Sequence, residues 1–373
     1  MLKEDWAKSK LDKICQKFLA TIDRCGADYI FYQAKKGRYT ENKAKTDIVW
    51  WTNGFDSGIF WQLNNYRQNS EFVIAAEKIE NELDQAFNKY EGLHHDVGFM
   101  WLPSAVANYR ITQNDRSYWR GRHAADLLAG RYNLAGNYLR SWNKDHAGWV
   151  IIDSMFNIQL LYWASEVTKD PRFRMMANKH AHTVMNNHVR PDGSVAHIVV
   201  FDPRTGEKIK TLGGQGYGVG SSWSRGQAWA LAGFDCAFRH TQDPEYLATS
   251  KRVANYFITN IIQTEFLPRI DFRAPSVEND VDTSAATVAA CGLLGLAEDV
   301  EDSDAVIYKD TAIKILQAVD NKFANYSSDT DGILTGASSA YHDQDGHNIN
   351  LNYGDYFFIE ALLRLIGKNL EIF

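Results

Sequence analysis

The feature that most constrains the fold is a short polar turn that recurs between amphipathic runs. Each copy contains Asn or Asp, followed three to six residues later by an aromatic side chain, and these aromatic residues lie 46 to 73 residues apart. Asn or Asp in such a turn caps the next helix by accepting a hydrogen bond from a free backbone N–H, and proline suits the first helical turn because it has no N–H to leave unpaired. The copies are Asn69 to Phe72, Asn114 to Tyr118, Asp170 to Phe173, Asp243 to Tyr246 and, as a fifth, Asp302 to Tyr308. Each therefore predicts the turn of a helix hairpin.

The 373 residues accommodate about six such hairpins, arranged as an open solenoid or a closed ring. Irregular repeats interrupted by long glycine-rich segments favour the ring, with functional loops on one rim. We therefore predict an all-α fold, a closed α/α barrel, with short β-hairpins in its loops. Residues 196–201 are the best strand candidate. No linker rich in Pro, Gly or Ser divides the chain, which predicts one domain over residues 1–373.

Composition excludes several functional classes. The net charge of −6 and the pI near 6.0 argue against a nucleic-acid partner, which requires a basic surface. The charged start lacks the apolar segment of a signal peptide, and no run of about 18 apolar residues predicts a membrane span. Cys15, Cys25, Cys236 and Cys291 are scattered without a CxxC pair, which argues against zinc and indicates reduced thiols. We expect a cytoplasmic protein.

The segments between hairpins carry the residue types of a sugar-binding site. Aromatic faces stack on sugar rings, while polar side chains hold the hydroxyl groups. All eleven tryptophans precede residue 230, and six lie in or beside these segments: Trp50, Trp51, Trp142, Trp149, Trp223 and Trp229.

Two aspartates stand immediately before apolar helical runs. Asp153 follows Trp149 to Ile152, and Asp96 follows His94-His95. Both fit a helix cap. Alternatively, apolar surroundings raise the pKa of Asp153 and make it a general acid, although a helix start lowers a carboxyl pKa.

Other polar residues also allow two interpretations. His94 and His95 could bind a metal ion, but neighbouring histidines rarely point the same way and no third ligand is evident, so we predict no metal. Arg225 suits bidentate recognition of a carboxylate, and equally a buried structural ion pair.

Seven short motifs, in this order, resemble the unsaturated glucuronyl hydrolases, glycoside hydrolase family 88, over most of the chain. They are Trp51 to Phe55, His94 to Phe99, Ile151 to Asp153, Phe201 to Pro203, Ser222 to Trp229, Asp282 to Ala285 and Gly354 to Tyr356. The resemblance implies an (α/α)6 barrel that removes an unsaturated uronic acid, with a C4=C5 double bond, from the non-reducing end of oligosaccharides that lyases release from glycosaminoglycans.

The resemblance also implies the roles of individual residues. Asp153 becomes the catalytic acid and base, and Asp96 the assisting carboxylate. The substrate-binding positions are Trp51, His95, His197, Gln215, Arg225, Trp229 and Tyr341. No metal or organic cofactor is implied. We expect an unsaturated oligosaccharide as the partner, and a monomer or weak homo-oligomer.

The chain departs from the family pattern in four places. Asp56 and Ile270 replace common tryptophans, and Gly214 stands where His or Arg can occur, which we expect to alter the pocket rim. A Ser-x-x-Ser-x-Lys pattern of members that prefer sulfated substrates is replaced at residues 340–345, where Asp343 and Asp345 stand. Two carboxylates repel a sulfate, so we predict unsulfated or differently sulfated substrates.

Four alternatives stay open. An unsaturated rhamnogalacturonyl hydrolase shares the chemistry but acts on pectin fragments. A sugar epimerase on the same barrel requires paired histidines. A non-catalytic oligosaccharide-binding protein does not need both Asp96 and Asp153. A helical-repeat scaffold does not need the Trp- and Gly-rich loops.

Overall fold

The computed structural model describes residues 3–275 and 280–373, so part of the loop 271–285 lies outside the described residues. Helices dominate. In chain order they are α1 Lys3–Cys25, α2 Lys43–Thr46, α3 Phe55–Tyr66, α4 Ser70–Asn88, α5 Val97–Trp101, α6 Ala107–Thr112, α7 Asp115–Ala129, α8 Ser154–Asn157, α9 Gln159–Thr168, α10 Pro171–His188, α11 Ser224–Thr241, α12 Pro244–Ile261, α13 Thr283–Asp299, α14 Asp302–Phe323 and α15 Asn352–Leu365. A π-helical turn, Leu102–Val106, joins α5 to α6.

The polar turns form the predicted hairpins. Asn69, Asn114, Asp170 and Asp243 each accept a backbone N–H bond from the first turn of the following outer helix. The fifth hairpin differs, because Glu301 occupies the cap position of α14 and makes no such side-chain bond.

The helices close a double ring. An inner ring forms because α11 packs on α13, α13 on α15, and α15 on α3, while α3 meets the π-turn and α8 joins α5 to α11. The outer helices α4, α7, α10, α12, α14 and α1 each pack against an inner segment. This confirms the predicted closed α/α barrel.

The inner segments begin at one rim, because side chains at their starts meet. Asp56 on α3 accepts a hydrogen bond from Asn352 on α15, Arg225 on α11 pairs with Asp282 before α13, and Asn157 at the end of α8 binds Asp96 before α5. The long connections lie at this rim, and the short hairpin turns lie at the other.

Strands occur only in the connections of the described chain. β1 Ala34–Lys35 pairs with β2 Arg38–Tyr39, and β3 Tyr132–Asn133 with β4 Tyr138–Leu139. A third sheet has the antiparallel order β5 Trp149–Ile151, β6 Ile198–Phe201, β7 Lys208–Leu212. The predicted strand at 196–201 is confirmed over its last four residues, whereas β5 lies between two hairpins in a segment for which no strand was predicted.

The barrel axis is filled by aromatic side chains. Phe55, Phe99, Phe156, Trp229 and Phe357 are each at most 2% exposed. Their rings contact one another mostly edge-on or tilted, and Phe99 stacks on Phe156. Buried aromatic area of this size dominates core energetics. Among the described helices, none combines the length and apolar character needed to cross a lipid bilayer.

Candidate active site

The three-stranded sheet brings Asp153 to His197. Strand β5 ends two residues before Asp153, and β6 begins one residue after His197, with Ile151 opposite Ile198. The Ile152 N–H donates to the His197 carbonyl at 3.1 Å. Antiparallel pairing therefore holds the two side chains together, with His197 Nε2 3.8 Å from Asp153 Oδ1. That gap is longer than a hydrogen bond.

Asp153 does not cap its helix. It occupies the position before α8, but its side chain makes no capping bond, and its Oδ1 has no hydrogen-bond partner among the described residues. About a tenth of the side chain is exposed. Burial raises the pKa of Asp153 to about 7, with the charge of Asp96 adding to the rise and Arg225 opposing it. Asp153 is therefore a carboxylic acid that keeps a large protonated fraction at neutral pH.

Asp96 has the opposite protonation state, because its hydrogen-bond partners favour the ionised carboxylate. It precedes α5, again without capping it. Its Oδ1 accepts a bond of 3.0 Å from Asn157 Nδ2 and lies 3.3 Å from His95 Nε2, while His94 Nδ1 lies 3.1 Å from Oδ2. Burial opposes ionisation of Asp96, but the two imidazoles and the Asn157 amide outweigh it and hold its pKa below the ordinary value. Asp96 is thus ionised beside a protonated Asp153.

Both reasons for dismissing a metal at His94 and His95 were wrong, because the two rings point the same way and Asp96 is a third possible ligand. Both rings face Asp96, and ligand atoms of the three residues lie within 4.8 Å of one another. Burial lowers the pKa of His95 to about 3, so its ring is neutral. The three side chains already contact each other, and the absence of a metal requirement stays a prediction.

His197 is held in one tautomer. Its Nδ1 accepts the Gln215 N–H at 2.9 Å, so its Nε2 carries the proton and faces Asp153. Burial lowers the pKa of His197 to about 3, so it is a neutral donor. Gly214 makes this contact feasible, because it has a φ of +58° and a Cβ there would lie 2.0 Å from His197 Nδ1. The departure at Gly214 therefore serves to orient His197.

Gln215 joins two loops across the rim. Its Nε2 donates to the Ser339 carbonyl at 2.7 Å, and its own carbonyl accepts the Tyr341 N–H at 2.8 Å. Tyr341 is half-buried, and its ring meets Tyr217 edge to face at 5.1 Å. These contacts place Gln215 and Tyr341 at the mouth of the site.

Arg225 forms the buried ion pair that the sequence left open. Its Nη1 binds the carboxylate of Asp282 and the hydroxyl of Ser284, and its Nη2 donates to the Ser339 carbonyl. Its guanidinium lies 4.4 Å from the centre of the Trp223 ring. Arg225 is 1% exposed, so in this structure it supports the floor of the site and influences Asp153 by its charge.

The two tryptophans predicted to bind substrate, Trp51 and Trp229, lie in different environments. Trp51 is half-buried and packs on Phe99 at 5.3 Å and on Tyr353 at 4.9 Å. Trp229 is 0% exposed and belongs to the axial aromatic core. Of the two, only Trp51 offers a face to a ligand in this structure.

The other departures lie below the rim rather than on it. Asp56 is fully buried and accepts the Phe31 N–H and the Asn352 amide, which tie the first rim loop to α15. Ile270 is 1% exposed, and its carbonyl accepts the Ser224 N–H at the start of α11. Both positions support the loops and do not line the pocket.

Asn157 is the functional residue that sequence reasoning missed. Its Oδ1 accepts the Phe99 N–H at 2.9 Å, which fixes the amide orientation. Its Nδ2 then donates to Asp96 Oδ1 at 3.0 Å and to the Asp153 carbonyl at 3.3 Å. Its spacing of four residues from Asp153, one helical turn, was the available signal.

A second series of hydrogen bonds, through the outer helix α10, fixes the backbone turn next to Asp153. His180 Nδ1 accepts the Leu139 N–H, so its Nε2 donates to Ser154 Oγ at 2.8 Å, and Ser154 donates to the Ile151 carbonyl. The site therefore holds a protonated acid, an ionised neighbour and a neutral imidazole donor, with aromatic faces nearby. This arrangement can donate a proton and then receive one from water.

The chain is similar to characterised enzymes. It is 31% identical over 372 residues to the unsaturated chondroitin disaccharide hydrolase of Streptococcus agalactiae, covering 97% of this chain and 92% of the relative. It is 32% identical over 326 residues to the unsaturated glucuronyl hydrolase of Bacillus sp. strain GL1, covering 84% and 86%. No family model matches the chain.

Solved structures give the same relationship. The crystal structure of the Bacillus sp. GL1 enzyme superposes with a TM-score of 0.89 at 29% identity, covering 97% of this chain and 96% of that one. A variant of the Streptococcus agalactiae enzyme complexed with dGlcA-GalNAc6S superposes with a TM-score of 0.83 at 29% identity, covering 97% and 92%.

Proposed function

Because the chain belongs to the unsaturated glucuronyl hydrolases, a family of glycoside hydrolases, we propose that it removes the unsaturated glucuronic acid from lyase-generated glycosaminoglycan oligosaccharides. The observation that carries this proposal is the buried Asp153 carboxyl, whose Oδ1 has no hydrogen-bond partner among the described residues. Its pKa is raised to about 7, partly by the charge of Asp96, whose own pKa is held low. An acid that must first donate a proton and then accept one needs such a pKa.

The proposed reaction is hydration of the vinyl ether. Asp153 donates its proton to C4, and positive charge develops at C5 and the ring oxygen. A water molecule attacks C5 and returns a proton to the ionised Asp153. The resulting hemiketal opens and releases the leaving sugar. Asp96 disfavours ionisation of Asp153 before the first step and stabilises the cationic transition state by its charge. His197, through Nε2–H, and Trp51 are proposed to hold the uronate ring.

The remaining predicted binding residues receive different roles. We propose that Gln215 and Tyr341 contact the substrate at the mouth. His95, Arg225 and Trp229 are 0–1% exposed, so we propose that they do not contact the substrate. His95 orients Asp96, and Arg225 and Trp229 support the residues that line the site.

The loop at residues 340–345 supports the predicted preference for unsulfated or differently sulfated substrates. Asp343 and Asp345 are exposed there, and the Asp343 carboxylate accepts the Ser339 hydroxyl at 2.6 Å. A sulfate on the leaving sugar, if it lies near this loop, is repelled by these carboxylates. A faster turnover of a 6-sulfated chondroitin disaccharide than of its unsulfated counterpart would contradict this preference.

The test is loss of the ultraviolet absorbance of the C4=C5 bond. The purified protein, in EDTA, is incubated with unsaturated chondroitin and hyaluronan disaccharides beside Asp153→Asn. We expect loss with the wild type only. Loss only on an unsaturated rhamnogalacturonan disaccharide would favour the pectin-directed alternative, and binding without turnover would favour an oligosaccharide-binding protein.

We also propose that the protein acts in the cytoplasm, without metal, as a monomer or weak homo-oligomer. The four cysteines are free thiols, three of them buried, which suits a reducing compartment. Light scattering of the purified protein tests the oligomeric state.

A further inference from the structure

A short connection between the two proposed catalytic carboxyl groups has no part in the reaction described above. It is the 141–143 segment, between β4 and β5, and it begins with the fully buried Ser141. The Ser141 carbonyl accepts the N–H of His95, the residue directly before the assisting carboxylate, at 3.2 Å. The Ser141 hydroxyl oxygen accepts the N–H of Ile151, two residues before the proposed acid, at 2.9 Å. One residue therefore bonds to the backbone ahead of both carboxyl groups.

Asn143 makes a further connection from the same segment. Its Nδ2 donates to the carbonyl of Glu91 at 2.8 Å and to that of Leu93 at 3.1 Å, on the chain that leads to the assisting carboxylate. The 141–143 segment thus lies between the two chains that carry the carboxyl groups, and it forms hydrogen bonds to each.

Arg131, which follows α7, holds this segment in place. Its Nε donates to the Arg140 carbonyl at 2.9 Å, and its Nη1 donates to Asn143 Oδ1 at 2.9 Å. Its Nη2 donates to the carbonyls of Ser141 and Trp142, each at 3.0 Å. A guanidinium presents its donors in a rigid planar fork, whereas a lysine ammonium is a compact charge on a flexible stem. Only arginine can therefore hold all of these acceptors at once.

The charge of Arg131 is also linked to the site. The side chain is half-buried, and its four acceptors are carbonyl and amide oxygens, not carboxylates. Burial and the charge of Arg140 lower the pKa of Arg131 to about 10, while the charge of Asp96 opposes this. Removing a cation from water costs free energy that its bonds must offset. The position of Arg131 is therefore explained by the segment that it holds and by the negative charge of Asp96.

We propose that Arg131 is a positioning residue for the hydration reaction. Its bonds fix the 141–143 segment. Through Ser141, that segment fixes the chains of Asp96 and Asp153 relative to each other. A displacement of about 1 Å between groups that act together can lower a rate about a hundred-fold. The proposal rests on the proposed function, and it adds a residue that does not touch the substrate.

The experiment measures kcat and KM of Arg131→Lys and Arg131→Met on the unsaturated chondroitin disaccharide. We expect kcat to fall about thirty- to a hundred-fold in both variants, with KM changed less than about threefold, because each loses the fork and neither loses a substrate contact. Arg131→Lys keeps the charge, and it carries the test if Arg131→Met does not fold.

The matched control is Arg190→Met. Arg190 is also half-buried, and its Nη1 donates to the Ser194 hydroxyl and to the Ser221 carbonyl, but not to the 141–143 segment. We expect its kcat to stay within about twofold of the wild type. An equal fall of kcat in Arg190→Met and Arg131→Lys would show a general effect of losing a half-buried arginine, and would overturn the proposal.

Ser141→Ala tests the path of the effect. It removes the acceptor of the Ile151 N–H. Because residues that act through one contact are not additive, Arg131→Met combined with Ser141→Ala should lower kcat little further than Arg131→Met alone. Losses that multiply in the double variant would overturn the proposed path.

Amide hydrogen exchange checks the same coupling without turnover. In Arg131→Lys, peptides covering residues 91–97 and 149–153 should exchange at least about tenfold faster than in the wild type, because their bonds to Ser141 open more often. Unchanged exchange in both peptides would overturn the proposal. Failure of wild-type hydration would refute the proposed function, while the exchange rates still decide whether Arg131 holds the two chains together.

Discussion

At the scale of the residue, Asp153 and Asp96 show how two identical side chains acquire opposite protonation states. Both precede a helix, and both are about nine-tenths buried. Asp96 receives the amide of Asn157 and faces two imidazoles, whereas the Oδ1 of Asp153 receives no bond from the described residues. The difference in hydrogen bonding, added to burial, separates their pKa values.

The first prediction concerns the pH dependence of turnover. Asp153 must be protonated to act, and its pKa is about 7. We therefore expect the alkaline limb of the kcat/KM profile to fall about tenfold per pH unit above this pKa. Asp153→Asn should lower kcat at least about a thousand-fold at every pH. A rate that rises continuously from pH 6 to pH 9 would exclude Asp153 as the proton donor.

The second prediction is that the same side chain costs stability. Its folded pKa of about 7 exceeds the unfolded value of about 3.9, so the folded state binds the extra proton and loses stability as pH rises between the two. Asn cannot ionise. Asp153→Asn should therefore be more stable than wild type at pH 8 by about 2 to 4 kcal/mol, with little difference at pH 4.

Urea unfolding of both proteins at pH 4, 6 and 8 measures this effect. Parallel pH dependences for the wild type and the variant would show that Asp153 ionises in the folded state as readily as in the unfolded chain.

The third prediction concerns Asn157. Asn157→Asp keeps the acceptor for the Phe99 N–H but removes both donated bonds and adds a charge beside Asp96. We expect kcat to fall about a hundred-fold, with KM changed less, because the two carboxyl groups lose their relative placement. The control Asn178→Asp, on an outer helix where Asn178 accepts the Tyr162 hydroxyl, should keep wild-type kcat. Equal kcat in both variants would remove Asn157 from the mechanism.

At the scale of the element, the hairpin caps were predictable and the sheet around the site was not. Asn69, Asn114, Asp170 and Asp243 act through bonds to residues two or three positions away, which sequence spacing encodes. Strand β5 has three residues and exists because it pairs with β6, almost fifty positions later. Such a pairing leaves no local periodicity.

The fourth prediction tests how the loop after β7 orients His197. Gly214→Ala places a Cβ against His197 Nδ1 and requires a φ of +58°. We expect kcat/KM to fall about ten- to a hundred-fold, while circular dichroism stays that of the wild type. Gly218→Ala is the matched control, because nothing lies within 4 Å of its added Cβ. An unchanged kcat/KM in Gly214→Ala would show that the Gln215 bond to His197 is dispensable.

At the scale of the whole molecule, the closed barrel followed from the number of repeats, but the site required long-range contacts. The ion pair of Arg225 joins it to Asp282, which lies 57 positions later in the chain. Sequence spacing could not identify this partner. His94 and His95 turn the same way because the carboxylate of Asp96 lies between them. One domain over residues 1–373 stays a prediction, which limited proteolysis tests.

The final prediction concerns the electrostatic potential that the inner helices create at the catalytic rim. The inner helices α3, α11, α13 and α15 all start at the catalytic rim, and each helix start carries about half a positive charge. Below pH 7 Asp153 is mostly protonated, so Asp96 is the main negative charge near it. A uronate carboxylate should therefore bind better than its uncharged ester, although the net charge of the protein is −6.

We expect the methyl ester of the unsaturated disaccharide to show a KM about tenfold higher than the free acid, with kcat changed less. Raising salt from about 50 to 500 mM should raise KM for the acid but not for the ester, because screening acts only on the charged ligand. If acid and ester show equal KM values at low salt, recognition depends on the hydroxyl groups of the ring alone, and the common orientation of the inner helices contributes to packing without attracting the substrate.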